Sequence, residues 1–423
     1  MSIAEKLIQL NTTKQNIKQA IIDKGVDLTG VPFTQYHTKI AEISGGEETP
    51  ADGDYLVRFI DYDGTILKEE WVDSGENATP PELPDYSVAT NKRPALTFQG
   101  WNNSYTNITG NKDIGATYIP ADGKTHAYVR LTKVSGKDVT LYLNKTDAST
   151  LSIDWGDGIT STHTDSGNFN TSHTYSDYGD YEIKIWISSG SGEYGFGNGS
   201  SSSVFVGGGT QTQRNMLMYL FIGNNVSSIG NYAFQNCYSL TNIVIPESVL
   251  SIGNYAFQNC YSLTSIVIPE SVSSIGRAAF NNCYSLTSIV IPESVSSIGN
   301  YAFQNCYSLT NIVIPESVSS IGNYAFQNCD SLTSIVIPES VSSIGDSITS
   351  ANCYSFNSCF SILKYVFNRT TPPTLARKDA FNNINSACKI YVPDGSVNAY
   401  KSATNWVNYA NYIYPMSEME GDN

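Results

Sequence analysis

The motif Asp-Tyr-Asp-Gly-Thr that begins at Asp61 contains the two side chains best placed for covalent chemistry. It follows an apolar run, and two aspartates in this position can act as a nucleophile and a general acid/base in phosphoryl transfer. That chemistry also requires a downstream lysine and a further acidic pair that binds Mg²⁺. The residues that follow are rich in Pro, Asn and Thr and show no strand–helix alternation. We therefore interpret Asp63-Gly64 as a hairpin turn and expect no enzyme here.

Five cysteines recur at a constant interval of 23 residues: Cys237, Cys260, Cys283, Cys306 and Cys329. Equivalent positions of stacked coils lie about 4.8 Å apart, whereas a disulfide needs an oriented pair rather than an unbroken row. Zinc binding is the alternative, but it requires tetrahedral Cys/His clusters. All four histidines lie outside the cysteine row. We expect buried free thiols without a metal or other cofactor, and we expect the same of Cys353, Cys359 and Cys388.

Two further sets of carboxylates are candidates for binding cations. Asp154 and Asp157 fall well short of the six to eight oxygen ligands that calcium takes. The second set follows a proline in each 23-residue unit and is interpreted as a solvated edge, with a cation- or amine-binding ridge as the alternative. It consists of Glu247, Glu270, Glu293, Glu316 and Glu339.

The cysteines belong to a repeated phrase that contains Ile-Gly, Ala-Phe, Cys, Ser-Leu and Ile-Pro. The spacing of Leu263, Ile266 and Ile268 is typical of a leucine-rich solenoid. A strand over 264–268 would direct Ile266 and Ile268 inward, and Ser265 and Val267 outward. One or two turns would follow the Ile-Gly pair. A buried phenylalanine stack is predicted from Phe234, Phe257, Phe280, Phe303 and Phe326.

The repeated phrase resembles the BspA-like leucine-rich repeat family over about residues 214–393. The resemblance implies a right-handed solenoid of the kind found in surface-exposed, adhesive proteins. Residues 217–226 are predicted to cap its first coil, and an insertion within Asp346–Ser355 to form a loop. The tail that follows, with Val397, Tyr400, Trp406 and Tyr409, is predicted to cap the other end.

Two β modules precede the repeats. Residues 54–118 contain alternating apolar residues, a hairpin signal and the segment Phe98-Gln-Gly-Trp, and resemble the internalin-type B repeat. That family implies a β-grasp-like fold. Residues 125–207 contain Asp-Trp-Gly-Asp-Gly from Asp154 and His-Thr-Tyr from His173, and resemble the polycystic-kidney-disease (PKD) domain, which implies an Ig-like β-sandwich. The Gly/Ser-rich segment Ser188–Gly209 is predicted to be a long loop and flexible hinge.

The N-terminal segment has apolar residues on one helical face, and Gly25 would end that helix. With Pro32-Phe33 and Tyr36, it resembles the N-terminal module of phage and prophage fibre proteins. The resemblance implies attachment to other virion proteins or subunit association. A homotrimeric coiled coil and a hairpin without a special role are the alternatives.

These patterns together predict a multidomain, mostly β protein with short N-terminal helices. The domains are an attachment module (1–46), a β-grasp-like B-repeat module (47–120), an Ig-like PKD sandwich (121–207), the right-handed leucine-rich repeat solenoid (208–393) and a C-terminal cap (394–423). A net charge of −15 argues against nucleic-acid binding. Neither a transmembrane helix nor a signal peptide is expected.

A non-enzymatic phage virion fibre that binds a bacterial cell-surface glycan or protein through its solenoid is the favoured function. It would be made in the host cytoplasm, whereas the alternative, a cellular BspA-like adhesin, would lie on the bacterial surface. A glycan-active enzyme is a remote alternative. The loop at Asp346–Ser355 is one candidate contact. The other contacts are predicted at Tyr238, Tyr261, Tyr284, Tyr307, Tyr232, Tyr255, Tyr301, Tyr324, Asp330 and Arg277.

Overall fold

The computed structural model describes residues 55–133, 135–197, 205–206, 216–345 and 353–421. The predicted attachment module at 1–46 and residues 346–352 of the predicted loop lie outside this part of the chain. The predictions made for them therefore remain predictions.

The first described module is a four-stranded mixed sheet of order β2-β1-β4-β3. Its central pair, β1 and β4, is parallel, and both outer pairs are antiparallel. The hairpin prediction is confirmed, because Gly64 adopts a φ of 89° and the amide of Gly64 donates to the carbonyl of Asp61 at 3.0 Å. The β-grasp-like assignment stays a prediction. The strands are β1 (Tyr55–Ile60), β2 (Ile66–Val72), β3 (Leu96–Trp101) and β4 (Lys112–Pro120).

The second module consists of two sheets whose inward side chains share one hydrophobic core. One sheet contains β5, β10, β7 and β8 in that order, and in the other β6 pairs with β9, β11 and β12. The Ig-like assignment stays a prediction. The strands are β5 (Thr125–Leu131), β6 (Asp138–Lys145), β7 (Thr150–Asp154), β8 (Thr160–His163), β9 (Gly167–Thr174), β10 (Gly179–Ser189), β11 (Tyr194–Phe196) and β12 (Phe205–Val206).

Both sheets continue directly into the repeats. Strand β13 (Leu217–Phe221) pairs with β5 on one side and with the first repeat strand, β15 (Asn242–Val244), on the other. Strand β14 (Val226–Ile229) pairs with β11. The prediction of a flexible hinge is therefore wrong at β11, whose aromatic side chains are buried in the common core. Residues 217–226 do not form the end cap either, because β5 covers the edge of β13.

The repeats form coils with two parallel ladders of short strands. The first ladder contains β15, the pair β16 (Ser265–Val267) and β17 (Ser288–Val290), and the run β20 (Ser334–Ile337), β22 (Lys364–Phe367) and β24 (Lys389–Val392). The coil between β17 and β20 contributes residues 311–314 without a regular strand. The second contains β14, β18 (Ser297–Ile298), β19 (Ser320–Ile321), β21 (Ser343–Ile344) and β23 (Thr374–Leu375), and single bridges from Ile229 to Ile298 complete it. Between the ladders, the Asn-Tyr-Ala-Phe-Gln-Asn segments form hydrogen-bonded turns.

The phenylalanine stack is confirmed. Its fully buried rings lie 5.3–5.6 Å apart, centroid to centroid, from Phe234 through Phe356 to Phe381. At the beginning of the stack, the ring of Phe196 in β11 contacts Phe234 in a tilted arrangement, with the centroids 5.2 Å apart. Trp406 and Tyr409 contact Phe381 at its end.

The tail that supplies these two rings is mostly helical. It comprises 3-10 segments at Asp394–Ser396, Trp406–Tyr412 and Met416–Gly421, helix α1 (Val397–Ser402) and strand β25 (Ile413–Pro415). Strand β25 pairs with β24 and thereby extends the first ladder by one strand.

The four-stranded module lies on the outer face of the first ladder. Ser265 and Val267 were predicted to face outward, yet they are only 2% and 6% exposed. They point away from the core of the solenoid, but the module covers them, because Val267 and Val290 pack against Ile60 of β1. The prediction holds for the direction of these side chains and is wrong for their exposure. A strand pattern reports direction, not what covers the outer face.

Side chains of the module also hydrogen-bond to the turns of the repeats. The Asn102 amide donates to the carbonyl of Ile268 at 2.7 Å, and the Asn103 amide oxygen accepts from the backbone N–H of Glu293 at 2.8 Å. Lys112 approaches the Glu293 carboxylate at 3.5 Å. The module is thus held on the solenoid by apolar and polar contacts.

Candidate recognition surface

The first tyrosine row consists of Tyr238, Tyr261, Tyr284 and Tyr307. Each residue follows the buried cysteine of its coil, and successive ring centroids lie 4.6–5.1 Å apart in parallel stacks. Three of the side chains are half-buried, whereas the last one, Tyr307, is 40% exposed. The interior rings use their faces to contact each other, so the row offers ring edges and phenol hydroxyls to a partner.

The second tyrosine row consists of Tyr232, Tyr255, Tyr301 and Tyr324. Two pairs are stacked, Tyr232 on Tyr255 at 4.9 Å and Tyr301 on Tyr324 at 4.6 Å. Every member has a φ between 58° and 61°, a left-handed conformation that a bulky residue rarely adopts. Ring stacking and the contacts between adjacent coils stabilise this backbone conformation.

The second tyrosine row is interrupted in the third coil, where Ala278 replaces tyrosine. The guanidinium of Arg277 fills this gap and lies 5.0 Å from the ring centroid of Tyr301. A guanidinium stacks well on an aromatic face. An arginine thus takes the place of the missing ring, and Arg277 is exposed. Its role as a contact stays a prediction.

Asp330 interrupts the first tyrosine row in the fifth coil. One of its carboxylate oxygens, Oδ1, is buried and has no hydrogen-bond partner among the described residues. Burial raises the pKa of this carboxyl. Burial also raises the pKa of Tyr307, to which the nearby charges of Tyr284 and Asp330 contribute. The structure thus places Asp330 directly beyond the last ring of the first tyrosine row.

Two ladders of side-chain amides, which the sequence analysis did not identify, run beside the rows. In one, glutamine and asparagine donate toward the following coil, as from Gln258 to Asn281 at 3.0 Å. In the other, asparagines donate toward the preceding coil, as from Asn282 to Asn259 at 2.7 Å. The signal was present as Gln-Asn pairs at the 23-residue interval. These bonds fix the spacing of the coils that carry the tyrosines.

The thiol of each repeat cysteine is buried, and all eight cysteines are free. The Cys260 thiol donates to the carbonyl of Phe234 in the preceding coil at 3.2 Å, and the next three repeat cysteines do the same in their coils. Burial raises the pKa of Cys306 to about 12, which keeps this thiol protonated. No group of three or more side chains suited to a metal ion occurs among the described residues.

The acidic row lies along an edge that the four-stranded module partly covers. Partial burial, together with the charges of Glu293 and Glu247, raises the pKa of Glu270 to about 7. Burial and the neighbouring Glu293 and Glu339 also raise the pKa of Glu316. The prediction of a solvated edge holds only in part, because Glu247 and Glu293 are partly buried whereas the other three glutamates are exposed. Neighbouring carboxylates of the row repel each other.

The remaining candidate carboxylates have structural contacts. Asp61 is buried and accepts a hydrogen bond of 2.5 Å from the hydroxyl of Tyr86. Asp154 accepts from the backbone N–H of Gly156 at 2.9 Å, and Asp157 bonds to the ring of His173 at 2.6 Å. The Asp154 contact lies within a turn, whereas those of Asp61 and Asp157 join segments that are 25 and 16 residues apart in sequence.

Trp155 is a core residue, as predicted, and its indole stacks on His173 at 5.1 Å. Within the part of the chain that the structure describes, no helix is long and apolar enough to cross a membrane.

The family model "BspA type Leucine rich repeat region" matches residues 227–351 in six copies. A crystal structure of a leucine-rich repeat protein from T. pallidum is 30% identical and covers 35% of this chain and 78% of that one, with a TM-score of 0.30. For a leucine-rich cell surface protein from Faecalibacterium prausnitzii the identity is 21%, the coverage 37% of this chain and 61% of that one, and the TM-score 0.23. A leucine-rich repeat protein from Bacteroides ovatus is 21% identical. The match covers 55% of this chain and 71% of that one, with a TM-score of 0.26. No curated protein matches the chain.

Proposed function

The chain belongs to the BspA-type leucine-rich repeat proteins, and from this premise we propose that it is a non-enzymatic adhesin that binds a bacterial surface through its solenoid. The observation that carries the proposal is the pair of tyrosine rows. They hold half-exposed phenols at a coil spacing of about 5 Å on a scaffold locked by amide ladders. Tyrosine supplies contact area at a low entropic cost. A row of this kind suits an extended partner with a repeating structure, such as a surface glycan or a peptide.

The four-stranded module limits where the partner binds. It covers the outer face of the first ladder at β16 and β17, so the strand face of these coils is not free. The tyrosine rows lie on the turns between the ladders and remain accessible. We therefore place the contact on the turns and not on the strand face.

We further propose that the protein is carried by a phage particle, with residues 1–46 as the attachment module. The support is the resemblance of that segment to the N-terminal module of fibre proteins. A cellular adhesin on the bacterial surface is the second candidate, and the repeat family itself favours it. Both settings use the same recognition surface.

Binding of the labelled chain to bacterial cells tests the recognition surface. Replacing both Tyr261 and Tyr284 with Ser should weaken binding at least about tenfold, because central aromatic residues dominate most interfaces. The variant Tyr178→Ser serves as the control, since Tyr178 is exposed but lies in the second module, outside both rows. Unchanged binding by the double variant would refute the proposed surface.

Peptide mass spectrometry tests the setting. Density-purified particles from the source culture are compared with washed cell envelopes. Peptides of this chain in stoichiometric amount in the particles would establish a virion component. Peptides confined to the envelopes would leave the cellular adhesin.

A further inference from the structure

The break in the first tyrosine row is bounded by an aromatic residue on each side. In the sixth coil the residue after the buried Cys359 is Phe360, which occupies the place that tyrosine occupies in the first four coils. The fifth and sixth coils are hydrogen-bonded in register, since the amide of Leu363 donates to the carbonyl of Thr333 at 3.0 Å. The order along the row is thus Tyr307, Asp330 and Phe360.

This order leaves a gap one ring wide. Adjacent tyrosines of the row lie 4.6–5.1 Å apart, so residues two coils apart are separated by about 9.6 Å, twice the spacing of neighbouring strands. One planar group fits between two rings at that separation. Among the described residues, Tyr307 stacks on Tyr284 alone, and no ring stacks on Phe360. The two residues are 40% and 54% exposed.

A carboxylate lies in the gap. Asp330 makes no ion pair with a described residue, and its Oδ1 lacks a hydrogen-bond partner. A carboxylate in this position attracts a cation that carries N–H donors. Two aromatic faces attract a flat cation more strongly than a neutral group.

The second tyrosine row shows what fills such a gap in this protein. Where Ala278 removes a ring, the chain's own guanidinium, that of Arg277, lies over Tyr301. At Asp330 the row again lacks a ring and a carboxylate is added, but no arginine of the described residues fills the space. Within the described part of the chain, the gap at Asp330 therefore lacks a guanidinium, whereas the gap at Ala278 in the second tyrosine row contains that of Arg277.

We propose that the gap between Tyr307 and Phe360 binds an arginine side chain of the surface partner, with Asp330 as its carboxylate acceptor. The guanidinium is planar, so it stacks on both rings, and it donates a charge-assisted hydrogen bond to Oδ2 of Asp330, because Oδ1 is buried. A lysine ammonium satisfies the charge but does not stack. The inference deepens the proposed function and rests on it, because it specifies one contact of the recognition surface.

The test uses the full chain and a small probe. N-acetyl-arginine methylamide is titrated by ligand-observed NMR, and the uncharged citrulline analogue is its matched control. We expect the arginine probe to bind at least about tenfold more tightly than citrulline, because only the arginine is charged and can form an ion pair with the Asp330 carboxylate. Equal binding of the two probes, or no binding of arginine, would overturn the proposal.

Two variants locate the binding. Asp330→Tyr restores the ring found in four other coils, so it should fold normally and abolish arginine binding. Asp330→Asn retains the shape and should weaken binding about tenfold or more. Glu418→Gln removes a carboxylate from the exposed tail and should change nothing. Arginine binding that survives Asp330→Tyr would show that the gap is not the site.

The probe experiment needs no cells, so its failure removes only the arginine contact. Failure of the cell-binding experiment with the tyrosine variants would remove the recognition surface as a whole. The two results therefore distinguish the further inference from the proposed function.

Discussion

The interior of each coil depends on one aromatic side chain. Phe280 is fully buried between Phe257 and Phe303, with ring centroids 5.3 and 5.6 Å away. Phe280→Ala removes contacts to both neighbouring coils and should lower the free energy of unfolding by about 3–5 kcal/mol. Denaturant unfolding followed by circular dichroism measures this loss. Phe280→Leu is the control and should lose less, because Leu fills more of the space. An unchanged midpoint for the alanine variant would contradict the role of the stack.

Asn282 has two functions that substitution can separate. Its Nδ2 donates to Asn259, its Oδ1 accepts from Asn305, and its φ is 62°. Asn282→Gly breaks the ladder but permits the left-handed conformation, and should cost about 1–2 kcal/mol. Asn282→Ala breaks the ladder and also strains the backbone, so it should cost about 1 kcal/mol more. Thermal unfolding of both variants measures the difference. Equal losses would mean that the backbone conformation contributes nothing.

The contact between the four-stranded module and the solenoid depends on a close approach at Gly115. A Cβ at this position would lie 3.0 Å from Cγ2 of Val267 and closer still to Cγ1. Gly115→Ala should therefore destabilise the contact by about 1–3 kcal/mol. Adding Val267→Ala removes the clash and should restore most of the loss, as a double-mutant cycle of unfolding free energies would show.

Gly395→Ala is the control for this cycle, because no atom lies within 4 Å of the added Cβ. If the double variant is as unstable as the sum of the single ones, Gly115 and Val267 do not meet in solution.

The acidic row should make stability depend on pH. Glu270 has a pKa of about 7 in the folded chain, above its usual 4.5, and it faces Glu247, Glu293 and Lys112. Between these values the folded state binds more protons than the unfolded state, so stability falls as the pH rises from about 4.5 to 7. Glu270→Gln should remove this dependence and raise the melting temperature at pH 8 relative to the unmodified chain.

Melting curves between pH 4 and 8 measure this effect. Glu418→Gln, in the exposed tail, should leave the pH dependence unchanged. A Glu270→Gln variant with the same pH dependence as the unmodified chain would show that repulsion in the row is negligible.

The features that repeat along the chain were the most fully predictable from the sequence. The coil length, the phenylalanine stack and the buried thiols follow from the 23-residue interval, because equivalent residues must meet in stacked coils. Ile60 covers Val267, but no periodic pattern in the sequence indicates this contact. The same holds for Asn102 and Asn103, which hydrogen-bond to backbone groups of the repeats. The Gly/Ser-rich composition around Tyr194 suggested a hinge, yet this short strand is buried. Strands that are distant in sequence bury this strand, and local composition does not reveal them.

The same limit applies to the candidate surface. The tyrosine rows were predicted as contacts from their interval alone. The sequence could not show that the rings stack on each other and present their edges. Nor did it draw attention to Phe360, although its position after Cys359 aligns it with the first tyrosine row.

The second module and the solenoid share one hydrophobic core. Phe196 of β11 lies opposite Leu143 of β6 and Ile229 of β14, and its ring contacts that of Phe234. A solenoid coil is stabilised chiefly by its neighbours, so an exposed first coil is costly. The second module supplies the neighbour that the first coil lacks.

Because the core is shared, we predict that Phe196→Ala destabilises both the second module and the first coil of the solenoid. Amide hydrogen exchange followed by mass spectrometry should show faster exchange in β6 and in β14, while the coils beyond Phe326 stay protected. Phe381→Ala at the other end is the matched control and should affect the tail around Trp406 instead. Faster exchange confined to β6 in the Phe196 variant would mean that the second module and the solenoid are stabilised independently. Joint loss of protection would establish the second module as the N-terminal cap of the solenoid.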